Sequence, residues 1–156
     1  MEEIATKIVA GEHRLTMLLM GHWQELRDGR RAPLVRAFKT AVPLDLLADC
    51  FILLPAETPD RRRLHDIGER IARVSGIAVT SLMLSEVPGE TLIGVASKWL
   101  VRTLELGAPV VDEGEFEDRH GARILYRATL LPLANQQDEI IQVLGGARGK
   151  AAAEDS

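Results

Sequence analysis

Three strand-like stretches separated by two short polar turns occupy the last third of the chain, and this pattern constrains the fold most. The stretches span 110–118, 122–134 and 139–146, with His120-Gly121 in the first turn and residues 135–138 in the second. Strands joined by such short turns pair with their neighbours in an antiparallel sheet. The sequence therefore predicts three consecutive antiparallel strands.

The middle stretch alternates between two faces with the period of a strand. One face is apolar and the other includes basic residues: Ile124, Tyr126, Ala128 and Leu130 against Arg123, Leu125, Arg127, Thr129 and Leu131. Residues 77–118 carry a net charge of -6, from eight acids and two bases, whereas residues 119–150 carry +3, from five bases and two acids. We expect opposite charges to face each other across paired strands. They form either a solvated sheet face or a docking surface for a charged partner.

Two longer helices precede these strands in the predicted fold. In the first, Leu15, Leu19 and Trp23 recur at helical spacing, and Asp28-Gly29 ends the helix. The second spans 90–106, where a narrow polar stripe and a wide apolar face are typical of a mostly buried helix. Helices, strands, helices and then three strands indicate an α+β domain.

The segment between the two helices allows two interpretations. Residues 48–56 predict a buried strand, which Pro55 ends. Residues 60–67 fit a second strand, but apolar spacing also fits a helix over 61–74, through Leu64, Ile67, Ile71 and Val74. Periodicity alone favours the helix. On the residues alone, the choice between helix and strand over 60–87 stays open.

Composition excludes several classes of protein. The 156 residues include one cysteine, which excludes an intrachain disulfide framework and a cysteine-rich zinc site. The net charge of -4 opposes non-specific binding to nucleic acid. No uncharged apolar run reaches the ~20 residues of a membrane span, and the acidic start lacks the basic region of a signal peptide. We expect a cytoplasmic protein that binds neither nucleic acid nor membrane.

Five stretches of the chain match one family in their order and spacing. They are 23–36, with a Trp, a Gly/Arg turn and a Pro, then 49–54, then 62–76 ending in Gly, and finally 126–133 and 140–146. In this order the chain resembles the single-domain PAS proteins common in alphaproteobacteria, a divergent PAS branch. The resemblance covers about residues 15–148.

The resemblance implies a PAS-like five-stranded antiparallel sheet with helices on one face and an N-terminal helical extension. It favours a strand over 60–67, and we adopt that assignment. It also implies a small cavity between the sheet and the helices, and ligand sites are mostly apolar with a few placed polar groups. The candidate ligand-binding residues in this cavity are His65, Trp99, Tyr126 and Arg127.

No catalytic constellation is visible in the sequence. Cys50 lies in an apolar run, where a thiol is a buried small hydrophobe, and it lacks the Asn-Cys-Arg context of the photoactive flavin-binding PAS motif. No two of the four histidines have the i, i+4 spacing of a helical zinc pair. His65 is the one candidate for a haem or metal ligand, but no metal site is predicted. We expect a non-enzymatic protein, and the sequence identifies no cofactor.

These observations predict a stand-alone sensory or adaptor domain of bacterial signalling. We divide it into an N-terminal helical segment (1–28), a PAS-like domain (29–148) and a disordered tail (149–156). A small-molecule ligand in the cavity or a protein partner would bias its conformation or association.

Two alternatives remain open. The first is a ligand-free interaction module that forms a homodimer through the N-terminal helix. Its candidate interface residues are Ile4, Ile8, Leu15, Met17 and Met20. The second is a small α+β enzyme that uses His65 or Arg127.

Overall fold

A six-stranded antiparallel sheet organises the computed structural model, which describes residues 2–152 and the side chains of residues 14–152 other than residue 59. The strand order across the sheet is β3-β2-β1-β6-β5-β4. The strands are β1 (Cys50–Leu54), β2 (Arg63–His65), β3 (Ser81–Met83), β4 (Val110–Glu117), β5 (Arg123–Ala134) and β6 (Ile140–Ala151). The predicted α+β fold with an antiparallel sheet is confirmed.

The sheet has one strand more than the predicted five, and its last strand is longer than predicted. The additional strand β3 has only three residues, too few for a visible alternation, and it pairs with β2 at the edge of the sheet. Strand β6 continues to Ala151, which lies opposite Ile124. The predicted disordered tail therefore does not begin at 149, because residues 149–151 pair with the start of β5 and satisfy its backbone hydrogen-bonding groups. Residues 153–156 lie outside the described residues.

The helices lie before and between the strands. They are α1 (Glu2–Arg27), α2 (Val35–Ala41), α3 (Leu44–Leu47), α4 (Glu69–Val74), α5 (Leu92–Ser97) and α6 (Leu100–Leu106). The helix predicted over 90–106 is divided at Lys98 and Trp99, where the Trp99 backbone has φ -94° and ψ 7°. The apolar pattern continues across this break, so periodicity did not detect it. The strand predicted over 60–67 is present as β2, followed by α4, and a continuous helix over 61–74 is wrong.

Helices cover both faces of the sheet, whereas the resemblance placed them on one. We call the face beneath α4, α5 and α6 the inner face, where Phe51 and Ile93 belong to a buried cluster. The other face, the outer face, packs against α1, α2 and α3, with Leu19, Phe38 and Leu131 in a second buried cluster. The sheet is therefore the middle layer of three.

The outer layer forms because the apolar stripe of α1 packs against the sheet. Leu15 and Leu19 are fully buried, and Trp23 is 2% exposed. The indole Nε1 of Trp23 donates a hydrogen bond of 2.8 Å to the carbonyl oxygen of Pro132 in β5. Leu15 was a candidate interface residue, and the structure corrects this because Leu15 belongs to the outer core.

A buried carboxylate joins three elements at the start of β1. Asp49 is 2% exposed. Its two oxygens accept bidentate hydrogen bonds of 2.8 Å from Nε and Nη2 of Arg70 in α4. Its Oδ2 also accepts from Nε of Arg148 in β6 at 2.8 Å. We call Asp49, Arg70 and Arg148 the ion cluster.

Replacing Asp49 by Asn tests the ion cluster. The substitution keeps the shape but removes the negative charge that both guanidinium groups bind, and breaking a buried ion pair costs about 3–5 kcal/mol. We expect the lower end of this range, because the Arg70 and Arg148 side chains are 41% and 28% exposed. Urea unfolding measures the loss.

The matched control for this test is Asp45→Asn. Asp45 lies 3.6 Å from the same Arg70 but is 82% exposed, so its removal should cost less than about 0.5 kcal/mol. If the two variants unfold at the same urea concentration, burial of the Asp49 carboxylate is not what stabilises this junction.

Candidate functional site

Side chains fill the space between the inner face and its helices, where the resemblance predicts a cavity. Phe51 of β1 is fully buried there, with Ile93 and Leu100 from the covering helices. The ring lies directly over Gly145 of β6, because a Cβ at that glycine would stand 2.4 Å from Cζ of Phe51. The predicted cavity position is thus occupied by the protein's own aromatic ring.

Tyr126 is the one predicted ligand residue that faces this inner cluster. It is 8% exposed, and its ring centroid lies 5.8 Å from that of Phe116. The hydroxyl donates a hydrogen bond of 2.6 Å to Oδ2 of Asp112 in β4. Burial, and then the hydrogen bond to Asp112, raise the pKa of Tyr126. Its polar group is therefore satisfied by the protein itself.

His65 points away from the inner face. It lies on β2 directly opposite Ile52, a member of the outer cluster, so the suggestion that it could face inward is corrected. The neighbouring Leu64 takes the inward position. The Nδ1 of His65 lies 3.1 Å from Oδ2 of Asp66. A hydrogen bond from Lys39 to the same carboxylate lowers the pKa of Asp66.

Arg127 and Trp99 also lie away from the inner cluster. Arg127 faces the outer side of β5, and its Nη1 is 3.2 Å from the Glu113 carboxylate on β4. Trp99 is 37% exposed at the break between α5 and α6. The four predicted ligand residues are therefore not brought together.

The charge pairing predicted between the acidic and basic segments is present. Glu113 lies directly opposite Arg127, and the Nε of Arg123 donates to Glu115 at 2.7 Å. The Glu113, Glu115 and Arg123 side chains are more than half exposed, so these pairs form a solvated ladder along the edge of the sheet.

Cys50 lies beneath the outer layer. It is 2% exposed, and its Sγ donates to the carbonyl of Leu46 at 3.3 Å. Burial, followed by the negative charge of Asp49, raises the pKa of the thiol. A protonated, buried thiol is not a nucleophile.

Sequence reasoning missed a groove at one end of the inner face. Two adjoining pockets of about 230 and 290 Å³ lie where the end of α4, the segment before α5 and the β4–β5 hairpin meet. We call them together the rim groove. Its lining residues include Arg73, Val74, Ser75, Glu90, Leu92, Phe116, Asp118, Arg119, His120 and Ile124. These residues come from three distant segments of the chain, so no local sequence motif predicts the groove.

Residues 2–152 contain neither a metal-binding cluster nor a membrane-spanning helix. No group of three or more His, Cys, Asp or Glu side chains in this range is arranged to hold a metal ion. No helix in the same range combines the length and apolar character needed to cross a bilayer.

Comparison with protein families identifies the fold. The family model described as PAS domain matches residues 11–147. The chain belongs to the PAS domain family. PAS domains are generally sensory domains of signalling proteins rather than enzymes, and the antiparallel sheet with flanking helices is the PAS arrangement. No curated protein matches this PAS chain.

Solved structures of PAS domains resemble the chain at low identity. A light-oxygen-voltage domain, described with a flavin analogue, is 20% identical, with a TM-score of 0.47 over 78% of this chain and 85% of its own. The PAS domain of a protein from Colwellia psychrerythraea is 13% identical, with a TM-score of 0.43 over 65% of this chain and 86% of its own. A sensory box histidine kinase/response regulator from Burkholderia thailandensis is 13% identical, with a TM-score of 0.42 over 67% and 79%.

The environment of Tyr126 predicts an alkaline transition. Tyr126 is the only tyrosine, so the near-ultraviolet absorbance of tyrosinate reports it alone. Because the fold raises this pKa, the native protein should keep the phenol protonated above pH ~10, where the unfolded chain loses the proton. The unfolded state then binds fewer protons, so the contribution of Tyr126 to the free energy of unfolding is constant below that pH and falls above it.

The same titration of urea-unfolded protein and of the Asp112→Asn variant provides the controls. The unfolded chain should titrate near pH ~10, and the variant between the two because it keeps the burial but loses the negative charge. Coincident titrations of native and unfolded protein would contradict the described packing of Tyr126.

Proposed function

We propose that this PAS domain is a sensory or adaptor module of cytoplasmic bacterial signalling that transmits its signal by association of two copies through α1. The observation that carries the proposal is the exposed face of α1. Met17 is 60% exposed and Leu18 is 41% exposed, although both belong to a helix whose opposite side is buried. Gly21 lies one turn further along the same face, and a Cβ there would have nothing within 4 Å. Exposed apolar side chains beside such a flat surface are typical of a helix contact.

The remaining interface candidates divide into two groups. Met20 is half-buried and packs partly against the outer cluster, so it contributes less free surface than Met17. The side chains of Ile4 and Ile8 lie outside the described residues. The proposal therefore rests on Met17 and Leu18.

A ligand or partner would act by stabilising one association state over the other. Helix α1 rests on β5 and β6. Arg148 of β6 binds the same Asp49 carboxylate as Arg70 of α4. A displacement of α4 would therefore change the interactions of the strand on which α1 rests. This connection supports a sensor whose input lies on the inner layer and whose output lies on the outer one.

Multi-angle light scattering of Met17→Glu tests the association. We expect dimeric wild-type protein and a monomeric variant, because the substitution places a charge in an apolar contact. Leu44→Glu is the matched control, since Leu44 is 84% exposed on α3 and should leave the dimer intact. A wild-type monomer over the micromolar to millimolar range, or a dimeric Met17→Glu, would contradict the proposal.

A second candidate function is a ligand-free interaction module. The filled inner core favours it, since Phe51 occupies the predicted cavity position. Native mass spectrometry of the purified protein separates the two, because a sensor that retains its ligand gives an adduct that denaturation removes. The enzyme alternative has less support, because His65 and Arg127 contact separate carboxylates, those of Asp66 and Glu113.

A further inference from the structure

The rim groove has a polar end that carries unused hydrogen-bond donors. Arg73, Ser75, Arg119 and His120 line it. Among the described residues, neither Arg73 nor Arg119 forms an ion pair. The guanidinium of Arg119 lies against Gly76, where a Cβ would stand 3.1 Å from Nη2. Two guanidinium groups without a carboxylate partner in one pocket are suited to an anion.

A buried hydroxyl without a partner lies at the same end. Ser75 is 3% exposed and lines the pocket, yet its Oγ makes no hydrogen bond to any described residue. Leaving a buried hydroxyl unsatisfied destabilises a fold, and such groups in a native protein require an explanation. Rotation of the Ser75 side chain toward the pocket would bring this hydroxyl, which has almost no solvent-accessible surface, to a bound acceptor oxygen beside the guanidinium groups.

The other end of the groove is apolar. Val74, Leu92, Phe116 and Ile124 line it together with Gly149. Ile124 and Leu92 pack directly over Gly149, since a Cβ there would lie 2.9 Å from Cγ2 of Ile124 and 3.0 Å from Cδ2 of Leu92, and their side chains form an apolar floor. Val74 is 61% exposed, so this surface is open to a ligand.

Two carboxylates on the wall shared by the two pockets limit the ligand's charge. Glu90 and Asp118 line both pockets. One oxygen of Asp118 already accepts from the backbone amides of His120 and Ala122, each at 2.9 Å. These acids repel a second negative charge in the groove. A monoanion therefore fits better than a dianion such as a phosphate ester.

We propose that the rim groove binds a small monocarboxylic acid with an apolar tail. The carboxylate lies between Arg73, Arg119 and Ser75, and the tail lies on Val74, Phe116 and Ile124. The combined volume of the two pockets is within the range of small-molecule sites. As the input of a sensor this site rests on the proposed function, but the binding itself does not depend on the dimer.

Isothermal titration calorimetry of the full chain with octanoate tests the site. We expect one molecule per chain and about tenfold weaker binding of octan-1-ol, which lacks the charge, and of acetate, which lacks the tail. Equal affinity for octanol, or for inorganic phosphate, would overturn the proposal, since the groove would then select only apolar surface or only charge.

Variants at the polar end make the test specific. Arg73→Gln and Arg119→Gln should each weaken octanoate binding about tenfold. Arg102→Gln, which removes an exposed arginine from α6 outside the groove, should leave it unchanged. If the two groove variants bind octanoate as the wild type does, the carboxylate does not lie there.

Ser75→Ala distinguishes a ligand-binding hydroxyl from a structural one. Removing an unsatisfied buried hydroxyl should maintain or raise the melting temperature of the ligand-free protein, while octanoate binding weakens. A lower melting temperature with unchanged binding would show that the hydroxyl supports the fold instead.

Light scattering with and without octanoate separates this proposal from the proposed function. Octanoate that binds without altering the association state would leave the site intact and contradict its role as the sensory input. No binding to a protein that still dimerises through Met17 would overturn the site alone.

Discussion

The close packing of side chains against both faces of β6 is the constraint on which the rest of this structure depends. Neighbouring residues of a strand point to opposite faces, and here two successive positions are glycines. A Cβ at Gly145 would meet Phe51 of the neighbouring strand β1, whose ring lies on the inner face, at 2.4 Å, and one at Gly146 would meet Leu19 of α1 at 2.6 Å. The strand is thus thin enough at one point for a phenyl ring and a leucine to pack against its two sides. Larger side chains there would displace the Phe51 ring on one face and α1 on the other, and overpacking of this kind destabilises a core.

The ion cluster connects α4 of the inner layer to β1 and β6 of the sheet through charge rather than packing. Asp49 precedes β1, and its carboxylate binds one guanidinium from α4 and another from β6. A carboxylate that is 2% exposed requires such partners, since burial of an unpaired charge is costly. The elements that bind Asp49 therefore keep their relative positions. A shift of one of them changes the electrostatic balance of the others.

This arrangement gives the two proposed functional surfaces a physical connection. The rim groove includes residues that end α4, namely Arg73, Val74 and Ser75. The exposed face of α1 belongs to a helix that rests on β6. Arg70 of α4 and Arg148 of β6 share one carboxylate between these sites. PAS domains are generally sensory domains, and in this chain the proposed input on the inner layer and the proposed output on the outer layer have a defined connection to test.

Packing explains why the inner face offers no site of the predicted kind. The resemblance implied a cavity, and Tyr126 does face the right side of the sheet. However, Phe51 and the residues of α5 and α6 occupy the space, and Asp112 satisfies the only tyrosine hydroxyl. The rim groove lies instead at the end of the inner face, where charged and apolar residues lie side by side.

The sequence by itself determined the antiparallel pairing of the last three strands, the alternation of β5 and the apolar stripe of α1. These follow from periods and turns that are local along the chain. The facing charges of Glu113 and Arg127 followed from the same local pairing. Tertiary structure alone decided that α1 covers the outer face, that His65 points outward and that helix 90–106 breaks at Trp99. The rim groove also depends on the tertiary structure. Arg73, Phe116 and Arg119 come together only after distant segments pack, so no local sequence pattern predicts this groove.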